Sequence, residues 1–371
     1  MHVPDLPSSA APVGVFAYAR HFLHQLVDAH PPSAPLQIEL HSGVHCDLYR
    51  CPHCYGFGQA SGNRRTIGAQ DFLDALDSLP ECSPVVILSG ITTDPMTHPE
   101  AVALIRGIRA RGLPLGLYTK GVRLDQEVRR ALIEPAGGAP TWVTLSLDAA
   151  DSPSYLRRHN IPATARDGFS DSQGSDYFEL VCANLTALRH ERDEIGSATE
   201  LRAAFLLFDE GDLQEEVRAA IVRFAPLADL LRFALPQYRN DGAPPGNLPS
   251  DPQRALAALV REHGNAQVRI LLDTASPTRD ESFTLCRTQR FQVTIDRSGN
   301  VYPCPQVAVQ PYKHLIVGNI LETPLHTILE GELRRRLFDL DIDSGMRCRI
   351  CDRKDEALNR ELHDLAAAFA G

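Results

Sequence analysis

Cys46, Cys51 and Cys54 stand in the run His45-Cys46-Asp47-Leu48-Tyr49-Arg50-Cys51-Pro52-His53-Cys54-Tyr55-Gly56. Three closely spaced thiolates can hold three corners of a [4Fe-4S] cube and leave the fourth iron open to a small molecule. The competing reading of the same residues is a closed zinc site completed by His45 or His53. A second group comprises Cys286, Cys304 and the pair in Cys348-Arg349-Ile350-Cys351. Gly299-Asn300 can turn the chain tightly between two strands, which brings Cys286 and Cys304 together across a hairpin. The C-x2-C loop would complete a four-thiolate site, suited to an iron–sulfur cluster or a zinc ribbon. Nine cysteines is an odd count for a disulfide framework, and in a reducing compartment such groups bind metal more often than they cross-link.

These residues need a scaffold, and the hydrophobic pattern supplies one. Short apolar runs at Leu36–Leu40, Val85–Leu88, Pro114–Tyr118, Trp142–Ser146, Glu200–Leu207 and Leu230–Ala234 read as strands. Helical patterns at Ala69–Leu79, Pro99–Arg111, Asp125–Ile133, Tyr177–Arg192 and Leu213–Phe224 alternate with them. Alternation of this kind predicts βαβ units and a parallel sheet. Six repeats are fewer than the eight of a closed barrel, so the expected architecture is α/β, a partial (β/α)6 TIM-like barrel with its site at the strand C-terminal ends. The first cysteine group follows the first strand directly.

Residues 1–35 form an N-terminal extension with one amphipathic helix at Val15–His30. The barrel is expected over 36–240. The Pro- and Gly-rich stretch from Asn240 to Pro252 opens a bridge over 241–285, with a helix at Pro252–His263 and a strand at Gln267–Leu272. A hairpin of Phe291–Ile295 and Val301–Cys304 then begins a small α+β unit over 286–371. With 371 residues, 43% hydrophobic and 23% charged, the chain is long and apolar enough to bury a substantial core. Its net charge of −10 argues against general nucleic-acid binding. No apolar run reaches membrane-spanning length and no signal peptide is evident, so the expected location is the cytoplasm, with no membrane partner.

From Leu36 to Leu362 the chain resembles the radical S-adenosylmethionine (radical SAM) superfamily, in the branch with a C-terminal SPASM/twitch domain. In that family a three-cysteine loop binds a [4Fe-4S] cluster, S-adenosylmethionine chelates the free iron, and reduction yields a 5′-deoxyadenosyl radical. The usual loop is C-x3-C-x2-C, whereas this one is C-x4-C-x2-C. The segment from Leu88 to Pro99 is similar to the family's Gly-Gly-Glu-Pro stretch, which implies cofactor contacts at Ser89, Gly90, Ile91 and Thr92; Ile91 or Thr92 replaces the glutamate. Thr119-Lys120-Gly121 is similar to its Thr-Asn-Gly turn, and Ser146-Leu147-Asp148 to its Ser-Leu-Asp segment, with Ser146 toward the ribose. His53 takes the position beside the adenine. The C-terminal unit, with Val317-Gly318-Asn319-Ile320 and a helix at Pro324–Asp339, is similar to the twitch form. Four cysteines, where the full SPASM form has seven, imply one auxiliary [4Fe-4S] cluster, two clusters in all.

The resemblance implies a one-electron donor of flavodoxin or ferredoxin type and a peptide or small natural-product substrate. Net oxidation by dehydrogenation or cross-linking is the expected outcome. A redox-neutral epimerase or isomerase is the alternative, and a non-catalytic iron–sulfur or zinc scaffold is a third reading. Asp148 and Tyr238, at strand ends, are candidate acid/base groups, and Cys182 is a candidate hydrogen donor, although free cysteines such as Cys82 and Cys182 are most simply buried apolar residues. Arg239 follows Tyr238 at the same strand end. Tyr155 to His159 read as a loop or short helix, solvated, with substrate contact as the lesser alternative.

Overall fold

The computed structural model describes residues 35–48, 51–56, 65–80, 83–162, 176–239, 248–264, 268–273, 282–348 and 350–370. The expected N-terminal helix, Cys82 and most of the Pro/Gly-rich boundary lie outside these. Ten strands form one sheet: β1 (Gln37–His41), β2 (Val85–Leu88), β3 (Leu115–Thr119), β4 (Thr141–Ser146), β5 (Glu200–Leu206), β6 (Leu230–Ala234), β7 (Arg269–Asp273), β8 (Gln292–Asp296), β9 (Asn300–Tyr302) and β10 (Gly318–Asn319). Their order is β10-β9-β8-β1-β2-β3-β4-β5-β6-β7. From β8 through β1 to β7 every neighbouring pair is parallel. The result is an open, TIM-like partial barrel.

Helices Ala69–Asp77, Ala101–Ala110, Gln126–Ile133, Tyr177–Glu194 and Leu213–Phe224 connect the parallel strands. Three of them start where an aspartate side chain accepts the first free backbone N–H groups: Asp125, Asp176 and Asp212. Side chains alternate across the sheet. Val86, Leu88, Leu115, Leu117, Val143 and Leu145 join the main core beneath these helices. Val85, Ile87 and Trp142 form a separate cluster on the opposite, inner face. Cross-strand register aligns Ile87, Gly116 and Trp142 in one row, and the Arg202 guanidinium lies 4.9 Å from the Trp142 ring. Trp142 thereby fills the inner face at this level, and Glu39, Tyr118, Ser146, Leu206 and Arg232 line the cavity above it.

Three features depart from the expected layout. The bridge strand, β7, pairs in parallel with β6 as a further barrel strand, which satisfies the backbone edge that six repeats would leave open. The C-terminal hairpin is not a separate sheet: β8 runs parallel to β1 from Gln37↔Gln292 to His41↔Asp296, while β9 returns antiparallel. Its turn carries Gly299 at φ 86°, where the Asp296 side chain accepts from the backbone N–H groups of Ser298 and Asn300. The expected helix at Pro324–Asp339 is two short ones, Leu325–Leu329 and Glu332–Leu337, divided at Gly331.

Gly116 is required by the inner row, because a Cβ there would lie 2.4 Å from the Trp142 ring. Gly116→Val is expected to destabilise the chain by about 1–3 kcal/mol through overpacking, measured as a lowered denaturation midpoint in urea.

Candidate active site

The loop after β1 carries the first three cysteines and is fastened to the loop after β2. The backbone N–H groups of Val44 and His45 donate to Thr97 Oγ1 at 2.9 and 3.2 Å, and Asp94 N donates to His45 O at 2.7 Å. Gly43 permits this approach, since a Cβ there would lie 2.2 Å from the Asp94 carbonyl oxygen. Arg123 adds a forked pair to Asp47, both bonds 2.9 Å. The buried Asp94 carboxylate accepts from Met96 N, Thr119 Oγ1 and Lys120 N, which ties the ends of β2 and β3 together.

A cavity of about 1000 Å³ opens at the C-terminal ends of the barrel strands. Cys46, Cys51, Cys54, His53, Gly90, Ile91, Thr92, Thr119 and Ser146 all border it, so most sequence-predicted contacts share one wall system. Ser89 does not line it; its hydroxyl donates to Glu39, which does. The Thr119 hydroxyl is committed to Asp94.

Burial raises the thiols of Cys46 and Cys51 to about 12 and that of Cys54 above its usual value. Three such groups ionise together only against a compensating cation, and metal binding then expels their protons. Lys120 supplies part of the charge. Burial opposes its ammonium, but Asp148 at 3.3 Å and the three cysteines outweigh that and hold it protonated.

The second site assembles from four separated segments. Cys286 precedes β8, and Cys304 follows β9. Cys348 follows the π-helical turn Ile342–Met346 and the left-handed Arg347, and Cys351 precedes the helix Arg353–Ala370. Ile342 N donates to Thr284 O at 2.8 Å, drawing the Cys348 segment onto that of Cys286. Asn359 Oδ1, on the final helix, accepts from Arg287 N and Thr288 N. The four cysteines enclose a small recess with Asp355 and Gln306. Burial raises the thiols of Cys286, Cys304 and Cys351 as well.

The spacing of the sulfurs bears on the two metal readings. One Zn²⁺ holds its thiolates ~3.8 Å apart, given Zn–S bonds near 2.3 Å at tetrahedral angles. All seven cysteines are described, and among the described residues no three of their sulfurs lie within 4.8 Å of one another. That spread fits thiolates on different irons of a cluster. Among the described residues no fourth cysteine lines the wall with the first three, so the donor set fits a cluster with one free corner.

Both sites border one space. Pro305, Gln306, Asp352 and Arg353 line the large cavity opposite the first three cysteines. Gln306 Nε2 donates to Asp352 Oδ2 at 2.8 Å, and the Tyr55 hydroxyl, one residue past Cys54, donates to the carbonyl of Ile350 between Cys348 and Cys351.

The model of an iron–sulfur cluster-binding domain, SPASM, matches residues 286–352, from Cys286 to one residue past Cys351. Among solved structures, Streptococcus suis SuiB bound to precursor peptide SuiA is 12% identical with a TM-score of 0.62, over 95% of this chain and 78% of that one. SuiB bound to S-adenosylmethionine gives 13% and 0.59, over 90% and 76%. Histidine-tagged anSMEcpe with bound AdoMet gives 15% and 0.54, over 91% and 96%. The chain shares the fold of these S-adenosylmethionine-binding structures, and its C-terminal part matches the SPASM iron–sulfur domain. No curated protein matches it. Among the described residues no helix is long and apolar enough to cross a membrane.

Three sequence-predicted catalytic residues lie apart from the cavity wall. Cys182 sits on the outer helix Tyr177–Glu194, in a recess with Glu179, Ala183 and Arg223, and burial raises its thiol to about 11. Tyr238 does not border the cavity, although its neighbour Gln237 does. Asp148 is 2% exposed, in the left-handed region at φ 59°. Burial opposes its charge, yet Lys120 at 3.3 Å, with His53 beside it, outweighs that and holds the carboxyl well below the usual carboxylate range. The segment from Tyr155 to His159 is not solvated as expected. Asp151 caps a helix at Ser152–Arg158 that turns Tyr155, Arg158 and His159 inward. Asp151-Ser152-Pro153 followed by aromatic rings four apart was the available signal.

Gly43→Ala is expected to loosen the first cysteine loop selectively. Iron bound per chain after anaerobic reconstitution should fall, while Cys286, Cys304, Cys348 and Cys351 keep their share.

Proposed function

We propose that the chain is a radical SAM enzyme that uses two [4Fe-4S] clusters and S-adenosylmethionine to oxidise a peptide substrate. The observation that carries this reading is the shared cavity, with three unmatched cysteines on one wall and the edge of a four-cysteine site on the other. Cys46, Cys51 and Cys54 would hold the first cluster, and Cys286, Cys304, Cys348 and Cys351 the second. The first cluster with S-adenosylmethionine, held there, would supply the chemistry of hydrogen-atom abstraction, and the second would supply a one-electron acceptor, the second hydrogen leaving the peptide as a proton to solvent.

The chain's own residues orient and enclose. Glu39 presents an ionised carboxylate beside Gly90: burial opposes the charge, but the hydrogen bond from His41, the charges of His41 and Lys354, and the Ser89 hydroxyl together prevail. Gly90, Ile91 and Thr92 bring backbone and small side chains to the same wall. Tyr118, at the C-terminal end of β3, and Arg232 on β6 face the remaining volume, which is at the upper end for a small-molecule pocket and leaves room for a substrate side chain beside the nucleotide. A peptide substrate is supported by the likeness to SuiB, whose structure holds a precursor peptide. A one-electron donor of flavodoxin or ferredoxin type and a cytoplasmic setting complete the reading.

The test is turnover of anaerobically reconstituted, dithionite-reduced protein with S-adenosylmethionine and candidate peptides in deuterated buffer, read by mass spectrometry. The expected products are 5′-deoxyadenosine and a peptide lighter by two hydrogens, with Cys51→Ala giving neither. A peptide gaining one deuterium at unchanged oxidation state would replace oxidation with epimerisation. Absence of 5′-deoxyadenosine from an iron-loaded protein would leave the scaffold reading.

A further inference from the structure

His159 is fully buried, and its Nδ1 lies 3.0 Å from Cys51 Sγ, although 108 residues separate the two in sequence. Its position is fixed from both sides. It caps the C-terminus of the helix Ser152–Arg158, its ring meets Tyr155 edge-on at 4.3 Å, and Asn160 at φ 53° turns the chain away immediately after it.

The direction of the contact follows from proton counting. An imidazole always carries at least one ring N–H, and it can stand on Nδ1. A metal-bound cysteine has no proton and accepts only. A second acceptor at 3.0 Å would be repelled, which places the hydrogen on Nδ1. Cys51, His53 and His159 also form the compact trio that a single metal ion could use. The 3.0 Å contact suits a hydrogen bond better than two ligands of one tetrahedral ion, whose N and S atoms stand roughly 3.5 Å apart.

We propose that His159 is a positioning residue that donates an Nδ1–H hydrogen bond to the Cys51 thiolate and so raises the reduction potential of the cluster held by Cys46, Cys51 and Cys54. The inference rests on the proposed cluster. Reduction adds negative charge to the cluster and its sulfurs, and a fixed donor stabilises that form more than the oxidised one. The device makes the cluster easier to reduce without touching substrate or nucleotide.

The test is an EPR-monitored redox titration of the reconstituted full-length protein, following the reduced-cluster signal that S-adenosylmethionine perturbs. His159→Phe keeps a ring but has no donor; His159→Gln keeps an N–H. The expected result is a more negative midpoint for His159→Phe, with His159→Gln between it and wild type. If the Phe variant fails to assemble the cluster, His159→Leu takes its place in the same comparison. Equal midpoints in all forms, or equal displacement of both variants, would overturn the proposal, the latter by showing a packing effect. One metal ion per chain lost on replacing His159 would also overturn it, in favour of a mononuclear site. A wild-type protein with no signal responsive to S-adenosylmethionine would instead defeat the proposed function itself.

Discussion

Seven thiols gathered around two recesses, buried or half-buried, constrain this molecule more than any other feature. Desolvation above all raises Cys46 and Cys51 to about 12, so without metal the sulfurs are neutral and weakly held. Among the described residues no three of these sulfurs cluster as tightly as ligands of one zinc ion, and one ammonium, Lys120, is set against the first three. Loading a cluster therefore supplies both the missing positive charge and the missing bonds. Binding free energy of this kind is folding free energy, and it would bear on the second site in particular, where four separated segments meet.

The sheet explains why the two sites share one cavity. β8 adds to β1 in parallel, so the SPASM hairpin grows from the strand that leads into the first cysteine loop. The hairpin turn reinforces that loop: Arg297 Nη1 donates to Val44 O at 3.0 Å, and Ile67 N donates to Arg297 O at 2.9 Å. The barrel and the C-terminal unit are thus continuous through backbone pairing. The bond from Tyr55 to Ile350 then joins the two cysteine loops directly. A shift of one site would be transmitted to the other through paired strands instead of through a flexible linker.

Much of this was legible from local pattern. Period-two apolar runs placed β1 to β6 within a residue or two, and the cysteine spacings marked both loops. Sheet order at the edges was not legible, because nothing in Gln292–Asp296 states that its partner is β1, over 250 residues earlier. His159 was missed for a related reason. A lone histidine after two arginines reads as solvated, and its burial depends on a helix whose direction is set by packing against Phe178 and Cys51. Asp148 was placed correctly at a strand end, but its pairing with Lys120, 28 residues away, was not legible from local pattern.

The stretch after Gly90 carries no glutamate, and strand β1 beside it brings a carboxylate, Glu39, to the same cavity. β1 and β2 run parallel with Glu39 opposite Ile87, so the Glu39 side chain projects from the inner face toward the next inner position on β2, Ser89. The Ser89 hydroxyl donates to it and His41 flanks it at 3.0 Å. The loop itself spends its one acid, Asp94, on the backbone of Met96 and Lys120 and on the Thr119 hydroxyl, although it too borders the cavity. Glu39 comes instead from a rigid strand. That arrangement fixes its position by two neighbouring strands, which hold a side chain more firmly than a loop alone.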